Sequence, residues 1–159
     1  MKEVGLVTVE MAAFYRRMLS VGLSDTYQRD IGLALEKEDP LSVLLLELAF
    51  CLSDANKTIS ILDNYIGDCN LDEYTIYSMI LEEMRELYRM GRFKLEQIAE
   101  ILFGILEGAG LWYEGPWDQL MYLSCVYDEV KDGCLYMDDF LDSFAEYLLN
   151  ENGRRDNND

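Results

Sequence analysis

Apolar residues recur at spacings of three and four along most of the chain, which is the period of an amphipathic α-helix. The segment 71–90 has the clearest pattern. The apolar residues that share one of its faces are Tyr77, Ile80, Leu81, Met84, Leu87 and Tyr88. Asn70 followed by Glu73 is typical of a capped helix start, and Gly91 is a typical helix end. The pattern therefore predicts a helix that begins after Asn70 and ends before Gly91.

Capping residues, prolines and glycines divide the remaining sequence into further helices. The predicted segments are 9–20 after Thr8, 26–37 after Ser24, 41–52 after Asp39 and Pro40, 57–66 after Ser53 or Asp54, 93–107 before Gly108, 117–130 after Pro116, and 139–150 after Asp138. Segment 41–52 is apolar nearly all round, so we expect it to be central and buried. These patterns predict an all-α fold, a compact single-domain bundle of about seven to eight helices with short connections. The domain is expected over residues 1–153, followed by a disordered polar tail at 154–159.

The charge of the chain narrows the classes of function. Thirty-one acidic residues against thirteen basic ones give a formal net charge of −18. Such a chain repels phosphates, so we expect no direct binding of nucleic acid and no binding to an anionic membrane surface. A basic protein is the partner that this charge favours.

The chain contains no histidine, which excludes histidine bases, triads and metal ligands. Cys51, Cys69, Cys125 and Cys134 show no C-x-x-C spacing, and no 18-residue apolar run or signal peptide is visible. We therefore expect a cytoplasmic protein with reduced thiols and with no catalytic residue, cofactor or metal site. Cys51 and Cys125 lie in apolar helical surroundings and are expected to be buried.

Half of the net charge lies in residues 112–159, which hold twelve acids and three bases. Asp138, Asp142 and Glu146 recur every four residues, so they share one face of the last predicted helix. Such a stripe is typical either of a solvated surface or of a face that a partner neutralises. In the same third of the chain, Trp112, Tyr113 and Trp117 lie in a loop with glycine and proline, and exposed aromatic side chains in such loops are frequent binding hot spots. The predicted partner-binding residues are Trp112, Tyr113, Glu114, Asp118, Asp128, Glu129, Asp132, Asp138, Asp142 and Glu146.

Residues 128–139 resemble part of a calcium-binding EF-hand loop. Asp128, Asp132 and Gly133 occupy loop positions 1, 5 and 6, and Asp139 occupies position 12. Val130 stands at position 3, where a ligand oxygen is required. The sequence therefore leaves calcium binding as a minor alternative.

In size, acidic charge and helical content, the whole chain resembles the immunity proteins of bacterial toxin–immunity pairs, including those of contact-dependent growth inhibition. The resemblance implies a cytoplasmic bacterial protein that is not an enzyme and that blocks one cognate toxin, typically a nuclease with a basic cleft. Two alternatives remain at this point. One is a helical adaptor or scaffold that docks a partner helix in an apolar groove, for which the sign is an exposed apolar patch. The other is a carboxylate-based binder of divalent cations.

Overall fold

The structure is a computed structural model that describes residues 7–37, 42–111 and 115–150. Within these ranges the chain forms eight α-helices and one 3₁₀ turn and has no strand, so the all-α prediction is confirmed. In chain order the elements are α1 (Val9–Ser20), α2 (Asp25–Lys37), α3 (Val43–Phe50), α4 (Ala55–Ile66), α5 (Glu73–Arg89), α6 (Leu95–Gly108), the 3₁₀ turn (Gly115–Trp117), α7 (Asp118–Lys131) and α8 (Met137–Leu149).

Several helix starts follow the predicted capping chemistry. Thr8 and Asp54 each accept a hydrogen bond from the backbone N–H three residues on, which satisfies one of the free donors at the start of α1 and α4. Gly67 ends α4 with a positive φ of 51°, a conformation that glycine adopts without steric cost. The bounds of α1 agree with the sequence prediction, whereas α4 ends at Ile66 as predicted and begins at Ala55, two residues before the predicted start.

Two predicted caps are wrong. Asp72, not Asn70, caps α5, because its carboxylate accepts from the backbone N–H groups of Tyr74 and Thr75 and from the Thr75 hydroxyl. These hydrogen bonds lower the pKa of Asp72. Asp138 lies in the first turn of α8 and does not cap the helix. In that turn its negative charge is close to the positive end of the helix dipole.

The structure also corrects the prediction for segment 41–52. The helix α3 covers only Val43–Phe50, and Ser42 caps it by accepting from the backbone N–H of Leu45. The predicted start at Asp39 and Pro40 lies outside the described residues. Only Leu45 and Leu48 are buried on α3, whereas Phe50 is 91% exposed. The apolar run therefore does not form a fully buried central helix.

Helix packing divides the chain into two compact units between Ile76 and Tyr77. In the first unit α1 packs on α4, and α3 contacts both α2 and α4. The bidentate ion pair of the buried Arg17 with Glu73 joins α1 to the start of α5, with N–O distances of 2.8 and 2.9 Å. The prediction of a single domain over 1–153 stays a prediction, and the tail lies outside the described residues.

In the second unit α6, α7 and α8 pack against one another. The buried face of α5 carries Ile80, Leu81, Met84 and Leu87, as its pattern predicted. Arg85 is also fully buried on this helix, and its Nε donates to the backbone oxygen of Leu148 near the end of α8.

No helix within the described ranges is long and apolar enough to cross a membrane.

Candidate functional site

The candidate site is the helical hairpin formed by α7, the five-residue connection 132–136 and α8. Residues 115–150 contain eight carboxylates and a single basic residue, Lys131. All eight carboxylate side chains are exposed. We call them the acidic hairpin surface: Asp118, Asp128, Glu129, Asp132, Asp138, Asp139, Asp142 and Glu146.

A buried aromatic cluster holds the hairpin in place. Phe140 and Phe144 on α8 lie one turn apart, with ring centroids at 5.9 Å. Tyr127 on α7 meets Phe140 at 5.0 Å, and Phe103 on α6 meets Tyr127 at 5.5 Å. Aromatic contacts at these separations contribute specific geometry in addition to area burial. The cluster therefore fixes which faces of α7 and α8 point outward.

The outward face of α8 is the acidic stripe that the sequence predicted. Asp138, Asp142 and Glu146 are exposed, and their spacing of four places them opposite the buried Phe140 and Phe144. Asp139 is exposed as well and borders the same face. Like charges at this spacing destabilise an isolated helix, so the contacts of the buried face must offset their repulsion.

The outward face of α7 mixes acidic and aromatic side chains. Asp118, Tyr122, Cys125 and Glu129 follow one another at spacings of four, three and four, and all four are exposed. The exposure of Cys125 shows that its predicted burial is wrong, whereas the predicted burial of Cys51 is confirmed. Helical periodicity explains the difference, because Cys125 lies in register with Asp118 and Glu129 rather than with Leu120 and Leu123.

Two exposed aromatic residues of the hairpin are absent from the predicted binding residues. Tyr122 on α7 is 67% exposed, and Tyr136, just before α8, is 80% exposed. Large aromatic side chains with a polar end are common at protein interfaces. Tyr122 follows Asp118 by one helical turn, so the spacing of four between an acidic and an aromatic residue is the signal for it in the sequence.

Lys131, the single base of the hairpin, is already engaged within α7. Its Nζ lies 3.3 Å from a carboxylate oxygen of Asp128 and 4.9 Å from the ring centroid of Tyr127. Asp128 is thus the hairpin carboxylate with a basic neighbour, and the other carboxylates carry most of the excess negative charge.

Tyr127, a buried residue of α7, contacts two carboxylates of α6. Its hydroxyl donates to Glu100 at 2.6 Å and lies 3.4 Å from Glu96. Burial and the hydrogen bond to the Glu100 carboxylate raise the pKa of Tyr127 well above its ordinary value. The phenol therefore keeps its proton and stays a donor to α6.

The predicted residues Trp112, Tyr113 and Glu114 lie outside the described residues. Trp117 is fully buried, and its ring contacts Tyr77 edge-on at 5.0 Å. The Tyr77 hydroxyl is 2.7 Å from that of Tyr147 on α8, so both ends of the hairpin are tied to α5.

The geometry of residues 128–139 differs from that of a calcium-binding loop. An EF-hand presents its ligands from a continuous twelve-residue loop. Here α7 extends through Lys131, so Asp128, at loop position 1, lies within a helix instead of opening a loop. Over the described parts of the chain, no group of three or more cysteine, aspartate or glutamate side chains is arranged to hold a metal ion.

Comparisons of the chain with protein-family models, with curated proteins and with solved structures give no match.

Proposed function

We propose that this chain is a binding protein without chemistry of its own, and that the acidic hairpin surface contacts a basic protein partner. The observation that carries the proposal is the composition of residues 115–150, where eight exposed carboxylates stand against one base that is already paired. A basic partner would neutralise the like-charge repulsion along α8.

The physical role of such a surface is to speed association and to select the partner. A continuous field of one sign attracts an oppositely charged protein before contact and raises its association rate by about 10- to 1000-fold. Exposed aromatic side chains then supply apolar contact area after water is displaced. Tyr122 lies in register with the acids of α7, and Tyr136 lies two residues before Asp138. Both are therefore suited to contribute this contact area.

The finer form of the proposal is an immunity protein that blocks a nuclease-type bacterial toxin in the cytoplasm. A nuclease cleft is basic because it binds phosphates. Carboxylates projected from one rigid hairpin provide the complementary charge without offering a phosphodiester to cleave. The resemblance to toxin–immunity proteins in size, charge and helical content supports this form.

The experiment compares partner capture by three tagged full-length chains in lysates of the native cell and of neighbouring strains. The first is the unaltered chain. The second carries Asp138→Asn, Asp142→Asn and Glu146→Gln. The matched control removes three exposed carboxylates elsewhere, with Glu36→Gln, Asp68→Asn and Glu107→Gln.

The proposal predicts that the unaltered chain and the control retain the same basic protein at low salt, and that the α8 variant loses it. Circular dichroism establishes that all three chains are folded. If the α8 variant retains the same partner as the control, or if the captured partner is acidic, the hairpin proposal is wrong. If a basic partner lacks nuclease or other toxic activity, the immunity form is wrong while the binding proposal stands.

A further inference from the structure

A second surface, in the first unit, has the opposite chemistry. Val43, Leu46 and Phe50 of α3 are 73%, 43% and 91% exposed, and their spacing of three and four places them on one face. Leu45 and Leu48 point the other way and are buried against the unit. The helix α3 thus has two apolar faces, of which the described part of the first unit covers one.

The exposed face of α3 lacks the charged residues that the solvent-facing side of a surface helix normally carries. Surface helices of soluble proteins normally place charged residues opposite their apolar stripe. In α3 the only charged residue is Glu47, and the side chain most exposed to solvent is a phenylalanine. Exposed apolar side chains that are contiguous on one face are typical of an interaction site.

A second copy of this chain does not suit the surface. A stable interface buries about 800 Å² on each partner, whereas the eight residues of α3 extend over roughly 12 Å and expose three large side chains. Each copy also carries a formal charge of −18, so two copies repel each other as they approach. Both the area and the charge favour a short, basic partner segment.

The position of Glu47 gives the charge pattern of that segment. Glu47 follows Val43 by one turn and precedes Phe50 by three residues, so its exposed carboxylate borders the apolar stripe. We propose that the face formed by Val43, Leu46 and Phe50 binds an amphipathic helix of a partner protein whose apolar stripe is flanked by lysine or arginine. Apolar contacts then hold the helix, and a basic side chain pairs with Glu47.

The test uses three synthetic peptides of about four helical turns each and the full-length chain. The first peptide has leucines at helical spacing flanked by lysines. The second has the same composition in scrambled order, which keeps the charge and removes the apolar face. The third has the order of the first with glutamates in place of lysines. Binding is measured by fluorescence anisotropy at about 150 mM salt, where long-range attraction is screened.

Two variants locate the binding site. Leu46→Gln with Phe50→Gln removes two of the three apolar side chains of the face and largely keeps helix propensity, and Met90→Gln removes an exposed apolar side chain outside α3. We expect the lysine-flanked peptide to bind at least about 10-fold more tightly than the scrambled one. The double variant should lose this difference, whereas Met90→Gln should keep it within about twofold.

Three results would overturn the proposal. Equal binding of the ordered and scrambled peptides would show that charge alone attracts them. Equal binding of the lysine- and glutamate-flanked peptides would show that the partner helix need not be basic. A dimer in light scattering that the double variant abolishes would identify a second copy as the occupant. The face of α3 shares no residue with the acidic hairpin surface, so the α8 variant with Asp138, Asp142 and Glu146 neutralised should bind the ordered peptide like the unaltered chain.

Discussion

Two buried tyrosines in the first unit have opposite hydrogen-bonding states, and this predicts opposite effects of removing their hydroxyl groups. Tyr15 and Tyr27 are each 1% exposed, and their rings pack edge-on at 5.6 Å. The Tyr15 hydroxyl donates to Asp30 at 2.8 Å. In the part of the chain that the structure describes, the Tyr27 hydroxyl is the buried side-chain group without a hydrogen-bond partner. Thr58 lies near it, and the single proton of the Thr58 hydroxyl is directed to the backbone oxygens of Cys51 and Asp54, at 2.9 and 2.8 Å.

The magnitudes follow from these partners. A hydrogen bond to a charged group contributes about 1.5–3 kcal/mol, and partial exposure of Asp30 reduces this, so Tyr15→Phe should lower the free energy of unfolding by roughly 1–2 kcal/mol. A buried hydroxyl without a partner costs about 1–3 kcal/mol. Tyr27→Phe removes that cost and leaves a small void, so we expect an effect between zero and about 1 kcal/mol of stabilisation. The two variants should therefore differ by ~2 kcal/mol, or roughly 4–8 °C in Tm.

Urea unfolding followed by circular dichroism measures both free energies, and a thermal scan measures both Tm values. The comparison is internally controlled because both substitutions remove one oxygen atom from adjacent rings in the same unit. If Tyr27→Phe lowers the free energy of unfolding by more than about 1 kcal/mol, the Tyr27 hydroxyl has a hydrogen-bond partner and the predicted difference between the two tyrosines is wrong.

Three further predictions concern pH, a buried arginine and calcium. Burial raises the pKa of Tyr27 to about 12 from an ordinary value of 10.0, so the folded chain retains a proton that the unfolded chain loses. The free energy of unfolding should therefore fall as the pH rises above about 10, and less steeply in Tyr27→Phe; equal slopes in urea titrations would contradict this. Arg85→Met leaves the buried Leu148 carbonyl oxygen without its donor and should cost about 2–3 kcal/mol in urea unfolding, whereas a cost below ~1 kcal/mol would mean that the contact contributes little. Millimolar calcium should leave the Tm unchanged, because Asp128 lies within α7 and pairs with Lys131; a calcium-dependent rise in Tm would reinstate the loop.

Helix positions were largely predictable because they depend on local chemistry. Thr8, Asp54 and Gly67 mark helix ends through hydrogen bonds or backbone conformations that act within a few residues. Asn70 and Asp72 illustrate the limit of such reasoning. Both residue types cap helices, and only the positions of the free backbone N–H groups decide which one is used.

Burial was less predictable because it depends on packing between helices. The apolar run of α3 is typical of a buried helix, yet among residues 7–37 and 42–76 no element covers one of its faces, and Phe50 is exposed. The burial of Arg85 was not predictable either, because charged residues are normally exposed and its acceptor, the Leu148 oxygen, lies on a helix far along the chain.

The charge of the candidate site was predictable from the sequence, whereas two of its exposed aromatic residues were not. The four-residue period of Asp138, Asp142 and Glu146 was sufficient to place them on one exposed face of α8. The exposure of Tyr122 and Tyr136 depends on how α7 rotates against the aromatic cluster, which the sequence pattern did not establish.

If the α8 carboxylates attract a basic partner, their removal must lower the rate at which that partner associates with the chain. Stopped-flow fluorescence should follow binding of the captured partner to the unaltered chain, to the variant with Asp138, Asp142 and Glu146 neutralised, and to the matched control over a series of salt concentrations. We expect the α8 variant to associate about 10-fold more slowly at low salt, high salt to remove this difference, and the control to match the unaltered chain. Equal association rates for all three chains at low salt would show that the α8 carboxylates do not attract the partner.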